Sequence, residues 1–373
     1  MGYCCNKGNK EIVISAPKAM SLSTGGDVRS IYTVLETKFT RAMTFAVNNN
    51  LILSLRPYEE GKVKINDVIY DSNNISMTGR YRLLCTAMNF MDGFNVELMI
   101  PDEPSIEDEA TLTLMFIYAM NMILFKSSDI LESSIMATHE IINSTGYYPG
   151  NLRTLLGSAY GGLSLWSFHN CLDWYHPLPV LHGNNIIMSN KRYGAFDGVN
   201  VNDSDVLDRF QANIALISSK YYLNFTSPTA NDLFFTNNNR QDWIDTFKDI
   251  KDTFVNICKY SYDINKVQNI SKLYLEMARN PLYDYLYNIS VKRHFCIFPC
   301  ANNTVALLFP SEETKLDILD DIRDDINNNI NNIGMPINWR CMRDEFIDVN
   351  KHPFLDTSGI DTMYNNLDIE DIY

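Results

Sequence analysis

The stretch "PSIEDEATLTLMFIYAMNMILF" at residues 104–125 ends in the part of this chain that comes nearest to an unbroken apolar run, residues 110–125. Ser105 is of a residue type that caps helix N-termini, and the acids that follow it suit the positive end of a helix dipole. Threonine and asparagine interrupt the run, which falls short of the roughly 18 consecutive apolar residues needed to cross a bilayer. The stretch therefore predicts a helix buried in the core of a globular protein.

The composition of the whole chain agrees with a folded globular protein. Apolar residues make up 46% of the 373 residues and aromatic residues 12%, which is enough for sizeable cores in two or three lobes. The formal charge of −14 would repel phosphate groups, so we expect no direct nucleic-acid partner. Because the N-terminus lacks the apolar segment of a secretory signal and the eight cysteines lack disulfide spacing, we expect a cytoplasmic protein with reduced thiols.

Periodicity and turn residues divide the chain into four segments. They are an N-terminal arm, a helical region, a β-rich segment, and a C-terminal helical region with an acidic tail, at residues 1–22, 23–146, 147–235 and 236–373. The predicted fold class is α+β, with helical regions on both sides of a central β-rich segment.

Three stretches of the helical region carry specific predictions. Residues 28–49 place apolar side chains at helical spacing and predict a helix. Residues 57–74 predict a turn and a short hairpin, with Asn66-Asp67 as turn residues. Residues 78–94 predict a second helix with one apolar face.

The C-terminal region carries predictions of the same kind. Two short apolar runs, "RHFCIFPC" and "NTVALLFP" at residues 293–300 and 303–310, predict a pair of strands. The acid-rich run from Ser311 to Gly334 predicts a capped surface helix whose carboxylates are solvated. The acidic tail after Lys351 is either a docking segment for a neighbouring subunit or a frayed end.

One cluster of potential metal ligands lies in "FHNCLDWYHPLPVLH" at residues 168–182, where His169, Cys171, His176 and His182 are close in sequence. Zinc prefers imidazole and thiolate ligands, but this spacing matches no standard zinc module. A second interpretation pairs Cys171 with one of the neighbouring histidines as nucleophile and base. The third is a packed corner rich in tryptophan and proline, with local hydrogen bonds.

Other catalytic and cofactor motifs do not match the sequence. The chain has no Gly-x-x-x-x-Gly-Lys phosphate loop, and the glycines of "STGGDVRS" at residues 23–30 are too few for a dinucleotide turn. In "LLGSAYGGLSLW", Ser164 has a glycine two residues before it but a tryptophan two residues after it, unlike a serine elbow. We therefore assign no catalytic residue and no cofactor from the sequence.

The N-terminal "MGYCCNKGNK" has the residue types of a lipid anchor. Gly2 is placed for myristoylation, and Cys4 and Cys5 are placed for palmitoylation; stable anchoring needs two such signals. Asn6 stands where the motif prefers serine or threonine. We interpret the segment mainly as an arm that bridges subunits, with lipidation as the alternative.

The stretch "RAMTFAVNNNLILSLRPYEEGKVKINDVIYDSNNISMTGRYRLLCTAMNFMDGFNVELMIPDEP" at residues 41–104 carries a family resemblance. Its elements follow a characteristic order: a helix ending in an Arg/Tyr/Gly turn, a short "KVKINDV" strand, a Met-rich "RLLCTAMNFM" helix closing on "GFNV", and a Pro-Asp loop. This order, with a later helix ending in "INSTGYYPG", is similar to the middle-layer capsid proteins of reoviruses. The resemblance to these orbivirus- and rotavirus-type proteins covers residues 23–150. It implies a helical lobe formed from both chain ends, a central β-barrel insert of jelly-roll type, trimers that tile a viral shell, and no catalytic site.

The leading functional hypothesis is therefore a structural assembly protein, a viral capsid or shell subunit rather than an enzyme. Its partners would be further copies of itself and other shell proteins, and it would occur in the host cytoplasm and the virion without membrane contact. One alternative is a zinc- or thiol-dependent enzyme centred on His169, Cys171 and His176. The other is a peripheral membrane protein anchored by its lipidated N-terminus.

Overall fold

Two β-sheets with helices packed against them form the part of the chain that the computed structural model describes. The described residues are 11–21, 39–75, 81–91, 94–102, 104, 106–125, 130–144, 151–169, 196–200, 204–219, 256, 263–278, 281–300, 304–333 and 337–341.

The first sheet has seven strands and is accompanied by four helices. The strands are β1 (Ile12–Ser21), β2 (Phe39–Pro57), β3 (Lys62–Ile65), β4 (Val68–Asp71), β5 (Val96–Met99), β6 (Leu163–His169) and β7 (Phe196–Asn200). The helices are α1 (Arg82–Phe90), α2 (Ile106–Phe125), α3 (Leu131–Ser144) and α4 (Asn151–Tyr160). The strand order is β4-β3-β5-β2-β6-β7, and β1 pairs antiparallel with β2.

The core of this part lies between one face of the sheet and helices α1 to α4. Along β1, Ile12 and Ile14 are buried while Val13 is exposed, as expected for a strand whose side chains alternate between two faces. Helix α2 is buried almost all round, and Asn121 on it has an internal partner: its Nδ2 donates to Ser134 Oγ of α3 at 2.9 Å. The buried helix predicted at 104–125 is therefore confirmed.

The second sheet has four strands, β8 (Ile214–Ser219), β9 (Cys296–Cys300), β10 (Thr304–Leu308) and β11 (Ile337–Cys341), in the order β11-β8-β10-β9. The helices of this part are α5 (Ser204–Asn213), α6 (Ile264–Ala278), α7 (Pro281–Arg293) and α8 (Glu312–Ile333). The predicted strand pair is β9 and β10, which are antiparallel. Ser311 Oγ accepts from the Thr314 N–H at 3.1 Å, so the predicted cap of α8 is also confirmed.

The α+β class predicted from the sequence is confirmed, but the jelly roll is not what the described strands form. The helix predicted over 28–49 is wrong where it is described, because β2 begins at Phe39. Residues 44–47 are all buried, so β2 is covered on both faces there and shows no alternation. An apolar run without alternation cannot be told from a buried helix by periodicity alone.

The hairpin predicted over 57–74 is confirmed as β3 and β4, and the helix predicted over 78–94 is confirmed as α1. The division of the chain into an arm, two helical regions and a β-rich segment stays a prediction. None of the described helices combines the length and the apolar character needed to cross a membrane.

Candidate functional site

The junction between β5 and α2 is the candidate site. It is described at Ile100, Pro101, Asp102 and Pro104 and in the first turn of α2. A helix N-terminus presents free N–H groups and the positive end of the helix dipole, so a strand-to-helix junction is a common place for an anionic ligand. Side chains from β1, the β3–β4 turn and the start of α1 converge on this junction.

Lys18 of β1 is a cation that reaches the first turn of α2. Its Nζ lies 2.8 Å from Asp108 Oδ2, and the side chains of Lys18 and Asp108 are 23% and 8% exposed. The pairing of β1 with β2 shifts register between Pro17 and Lys18. Such an irregularity changes the direction in which the following side chain points. The result is an ion pair, mostly shielded from solvent, between the sheet and the helix.

Glu109 links α2 to α1. Its Oε1 accepts from the Leu83 N–H at 2.7 Å and from the Leu84 N–H at 3.4 Å, while Tyr81 at the N-cap of α1 makes no side-chain capping bond. A carboxylate near a helix N-terminus is favoured by the dipole. Burial nevertheless raises the pKa of Glu109 above its ordinary value, and the two N–H donors offset part of that rise.

Asn66 fixes the other end of the junction. This residue follows β3 with a φ of 49°, a conformation that asparagine adopts more readily than most residues. Its Oδ1 accepts from the Ile100 N–H at 3.0 Å, and its Nδ2 donates to the Ile100 carbonyl at 3.1 Å. The first residue after β5 is therefore held by a side chain from the neighbouring turn.

A cluster of charges on three adjacent strands lies outside the junction. Glu97 accepts from Arg56 Nε at 2.7 Å and from Lys64 Nζ at 2.9 Å. The hydrogen bond from Arg56, followed by that from Lys64, holds the pKa of Glu97 below its ordinary value although burial opposes this. Because Glu97 is ionised and held by two cations, it is poorly suited to accept a substrate proton.

Two buried thiols are also poor candidates for catalysis. Burial is the main cause that raises the pKa of Cys85 to about 11, and burial also raises the pKa of Cys296. A thiol that stays protonated near neutral pH is a poor nucleophile.

A carboxyl group on α3, Glu140, has its pKa raised by burial to about 7, so this group titrates near neutral pH.

Of the site residues singled out from the sequence, only His169 lies among the residues that the structure describes. His169 ends β6 and pairs with Phe39. The other metal candidates and the lipidation candidates, Cys171, His176, His182, Gly2, Cys4 and Cys5, lie outside the described residues. Among the residues that are described, no group of three or more His, Cys, Asp or Glu could hold a metal ion. The zinc, thiol and lipid interpretations stay predictions.

Sequence reasoning missed the side chains that meet at the junction. The acids at the start of α2 were interpreted only as partners of the helix dipole, and Asn66 only as a turn residue. Lys18 is 90 residues from Asp108 in sequence, and Asn66 is 34 residues from Ile100. The local sequence therefore carries no signal for these contacts.

No family model matches the sequence, and no curated protein matches it. The structure is similar to solved kinases. Methanococcus jannaschii mevalonate kinase is 13% identical with a TM-score of 0.57, over 91% of this chain and 99% of that chain. Streptococcus pneumoniae phosphomevalonate kinase is 11% identical with a TM-score of 0.57, over 88% and 98%. The D-glycero-D-manno-heptose 1-phosphate kinase of Bacteroides thetaiotaomicron is 11% identical with a TM-score of 0.55, over 90% and 97%.

This structural similarity to kinases contradicts the prediction that the chain is a reovirus-type middle-layer capsid protein. The predictions of a non-enzymatic shell subunit and of a location in the virion are therefore also wrong. Self-association of the chain is not tested and stays a prediction. The resemblance depended on the order of a helix, a short strand, a Met-rich helix and a Pro-Asp loop, which carries no chemistry of its own. The first of these elements is strand β2 where it is described. At 11–13% identity the likeness shows the fold alone, which the chain shares with these mevalonate, phosphomevalonate and heptose 1-phosphate kinases.

Proposed function

We propose that the protein is a small-molecule kinase that transfers a phosphoryl group from ATP to an oxygen atom of a small substrate. The observation that carries the proposal is the extent of the fold likeness, which spans 88–91% of this chain and 97–99% of the three kinases. Those kinases are named for mevalonate, phosphomevalonate and a heptose 1-phosphate, so one fold serves several substrates. In the reaction, the acceptor oxygen bonds to the γ-phosphorus while the bond from that phosphorus to ADP breaks.

We place the phosphate contact at Lys18. Its ammonium group, held 2.8 Å from Asp108 at the start of α2, is a compact charge with three donors. A phosphate oxygen and a carboxylate oxygen are both anionic acceptors, so Lys18 can exchange one for the other. Asp108 then acts as a positioning residue that keeps the ammonium group in the site before the ligand arrives. The transferring phosphoryl group carries negative charge, which such a fixed cation stabilises.

The backbone of the junction does not fit a glycine-rich phosphate cradle. Residues 100–106 contain no glycine, and Pro101 and Pro104 have no N–H to donate. The first turn of α2 adds Asp108 and Glu109, whose charges disfavour bare phosphate groups. Side-chain cations therefore have to make the phosphate contacts in this protein. We assign no protein ligand to the Mg²⁺ that ATP carries.

The proposal is tested by ATP binding and by ADP formation with a panel of acceptors that includes mevalonate, phosphomevalonate, hexoses and heptose phosphates. Isothermal titration with Mg-ATP measures binding, and a coupled assay measures ADP release. We expect saturable ATP binding and acceptor-dependent ADP formation. If the folded wild-type protein neither binds ATP nor releases ADP with any acceptor, the kinase proposal fails.

Lys18→Met tests the place of the site, with Lys62→Met as the matched control. Lys62 is an exposed residue of β3 that pairs with Glu59 at the surface. Loss of one preorganised charge contact to a transferring group costs roughly 100-fold in rate, so we expect a loss of this size in Lys18→Met. The control should retain the wild-type rate. Wild-type activity in Lys18→Met would show that the phosphate contact does not lie at this junction.

A further inference from the structure

We propose that Asn66 is a positioning residue, which holds the β5–α2 junction in the conformation that the ligand needs. The part that concerns ligand binding rests on the proposed kinase function. The structural part concerns only the turn after β3 and the chain after β5, and it can be tested without a ligand.

The side chain of Asn66 continues the parallel hydrogen bonding between β3 and β5 after the backbone has turned away from β5. Strands β3 and β5 run parallel, with Ile65 opposite Leu98. The Asn66 N–H donates to the Leu98 carbonyl at 2.8 Å, after which the chain turns back into β4. From there the side-chain amide bonds both the N–H and the carbonyl of Ile100, at 3.0 and 3.1 Å. One amide group thus makes two hydrogen bonds of the kind that a continuing strand would make.

Asparagine meets two separate demands at this position. The φ of 49° lies in the left-handed region, where glycine and asparagine are the residues that fit with least strain. The bonds to Ile100 need one acceptor and one donor on a short side chain, which a carboxamide supplies. Glycine fits the left-handed φ but supplies neither bond to Ile100. Aspartate fits this φ and supplies the acceptor for the Ile100 N–H but not the donor for the Ile100 carbonyl. These differences allow the two roles of Asn66 to be separated by substitution.

The same side chain also ties the junction to α1. Asn66 Nδ2 lies 3.3 Å from Tyr81 Oη, and Tyr81 directly precedes α1. Glu109, at the other end of the junction, bonds the first N–H groups of α1. Both ends of the junction are therefore fastened at the start of one helix. Pro101, between these ends, has no N–H of its own to donate, so the bond from the Ile100 N–H is an important anchor of the junction.

A site that is held in place before its ligand arrives does not pay the cost of ordering on binding. Release of Ile100 would let the chain before α2 move, and ATP binding would then have to order it again. We expect the KM for ATP to rise several-fold when the two bonds are lost, with a smaller change in kcat. A general loss of folded protein would instead lower the apparent kcat and leave KM unchanged.

The test uses Asn66→Gly, which keeps the turn but removes the amide, and Asn66→Asp, which keeps the acceptor for the Ile100 N–H. The control is Asp67→Ala, at the exposed next position of the same turn. Amide hydrogen exchange at Ile100 is measured in the whole protein, with the buried amides of α2 as the reference for global folding. Loss of two hydrogen bonds of ordinary strength corresponds to roughly 10- to 30-fold faster opening, which we expect in Asn66→Gly. Asn66→Asp should fall between this variant and wild type, and the control should match wild type.

The outcomes separate this inference from the proposed function. Unchanged exchange at Ile100 in Asn66→Gly overturns the role of Asn66, whatever the activity of the protein. Faster exchange with an unchanged KM for ATP shows that the anchored junction is not the ligand site, and it overturns the functional part. If the wild-type protein does not bind ATP, the kinase proposal fails while the exchange data still decide whether Asn66 anchors the junction.

Discussion

Replacement of Glu109 by alanine should loosen the start of α1, although Glu109 belongs to a different helix. The N-cap residue of α1, Tyr81, makes no side-chain capping bond. The Leu83 and Leu84 N–H groups instead donate to Glu109 Oε1 at 2.7 and 3.4 Å. Both leucines are buried, so loss of the carboxylate leaves their N–H groups without this acceptor in a place from which water is excluded.

The expected cost follows from these two distances. A hydrogen bond to a charged group contributes about 1.5–3 kcal/mol, and the bond at 2.7 Å belongs in this class. The contact at 3.4 Å is long and adds little. Burial of the carboxylate opposes folding, as the raised pKa of Glu109 indicates. Removal of the carboxylate also removes this unfavourable contribution, which makes the net loss of stability smaller. We expect a net loss of about 2 kcal/mol for Glu109→Ala, and about 1 kcal/mol for Glu109→Gln, which keeps one acceptor oxygen.

Amide hydrogen exchange at Leu83 and Leu84 measures this loss at the site itself. The opening free energy of the two amides should fall by about 2 kcal/mol in Glu109→Ala, which is roughly a 30-fold change in exchange. Glu132→Ala is the control, since Glu132 is an exposed acid in the first turn of α3 and its loss should cost at most about 0.5 kcal/mol. Equal protection of the two amides in wild type and Glu109→Ala would refute the capping role.

The raised pKa of Glu109 also sets the sign of a pH dependence. A carboxyl group whose folded pKa lies above its ordinary 4.5 makes the folded state relatively more stable when it is protonated. Wild type should therefore gain stability relative to Glu109→Gln as the pH falls through the raised pKa towards 4.5. The difference between their melting temperatures, followed across this range, checks the sign. A difference that stays constant with pH would contradict it.

Two further predictions concern the packing and the charges of the first sheet. Gly157→Ala should destabilise the protein by about 1–2 kcal/mol, because the new Cβ would lie 2.7 Å from Ala19 Cβ; an unchanged or raised melting temperature would contradict this close contact. Glu97 has its pKa lowered mainly by the Arg56 hydrogen bond, then by Lys64, so its contribution is present above pH 4.5 and lost as the pH falls through the lowered value. The melting temperature of wild type minus that of Glu97→Gln should therefore shrink in acid, and a difference that grows in acid would refute the ion-pair argument.

The elements that the sequence predicted correctly are those with a local signal. The stretch at 104–125 has a capping residue, first-turn acids and a long apolar run, and it is α2. The turn residues Asn66-Asp67 lie between β3 and β4, and Ser311 caps α8. In each case the residues that decide the structure lie within a few positions of one another, so tertiary context did not have to be known.

The error over β2 shows where local signals fail. Residues 44–47 are buried on both faces of the sheet, and a strand of this kind has no alternation for sequence reasoning to detect. β2 pairs with β1 and β6 and, near its C-terminal end, with β5, all of which are distant from one another in sequence. The capsid resemblance relied on the order of elements in this same region, and it was wrong because that order does not specify how the strands pair.

The sequence by itself determined that this chain is a folded α+β protein with a buried central helix, because composition, caps and periodicity act over short distances. It also showed that no glycine-rich phosphate loop is present. Only the tertiary structure decided the fold and the candidate site. Lys18 meets Asp108, Asn66 meets Ile100, and Glu109 meets the start of α1 through contacts that span 25 to 90 residues. Such contacts depend on strand pairing and helix packing, which bring distant residues together and leave no mark in the sequence around either partner.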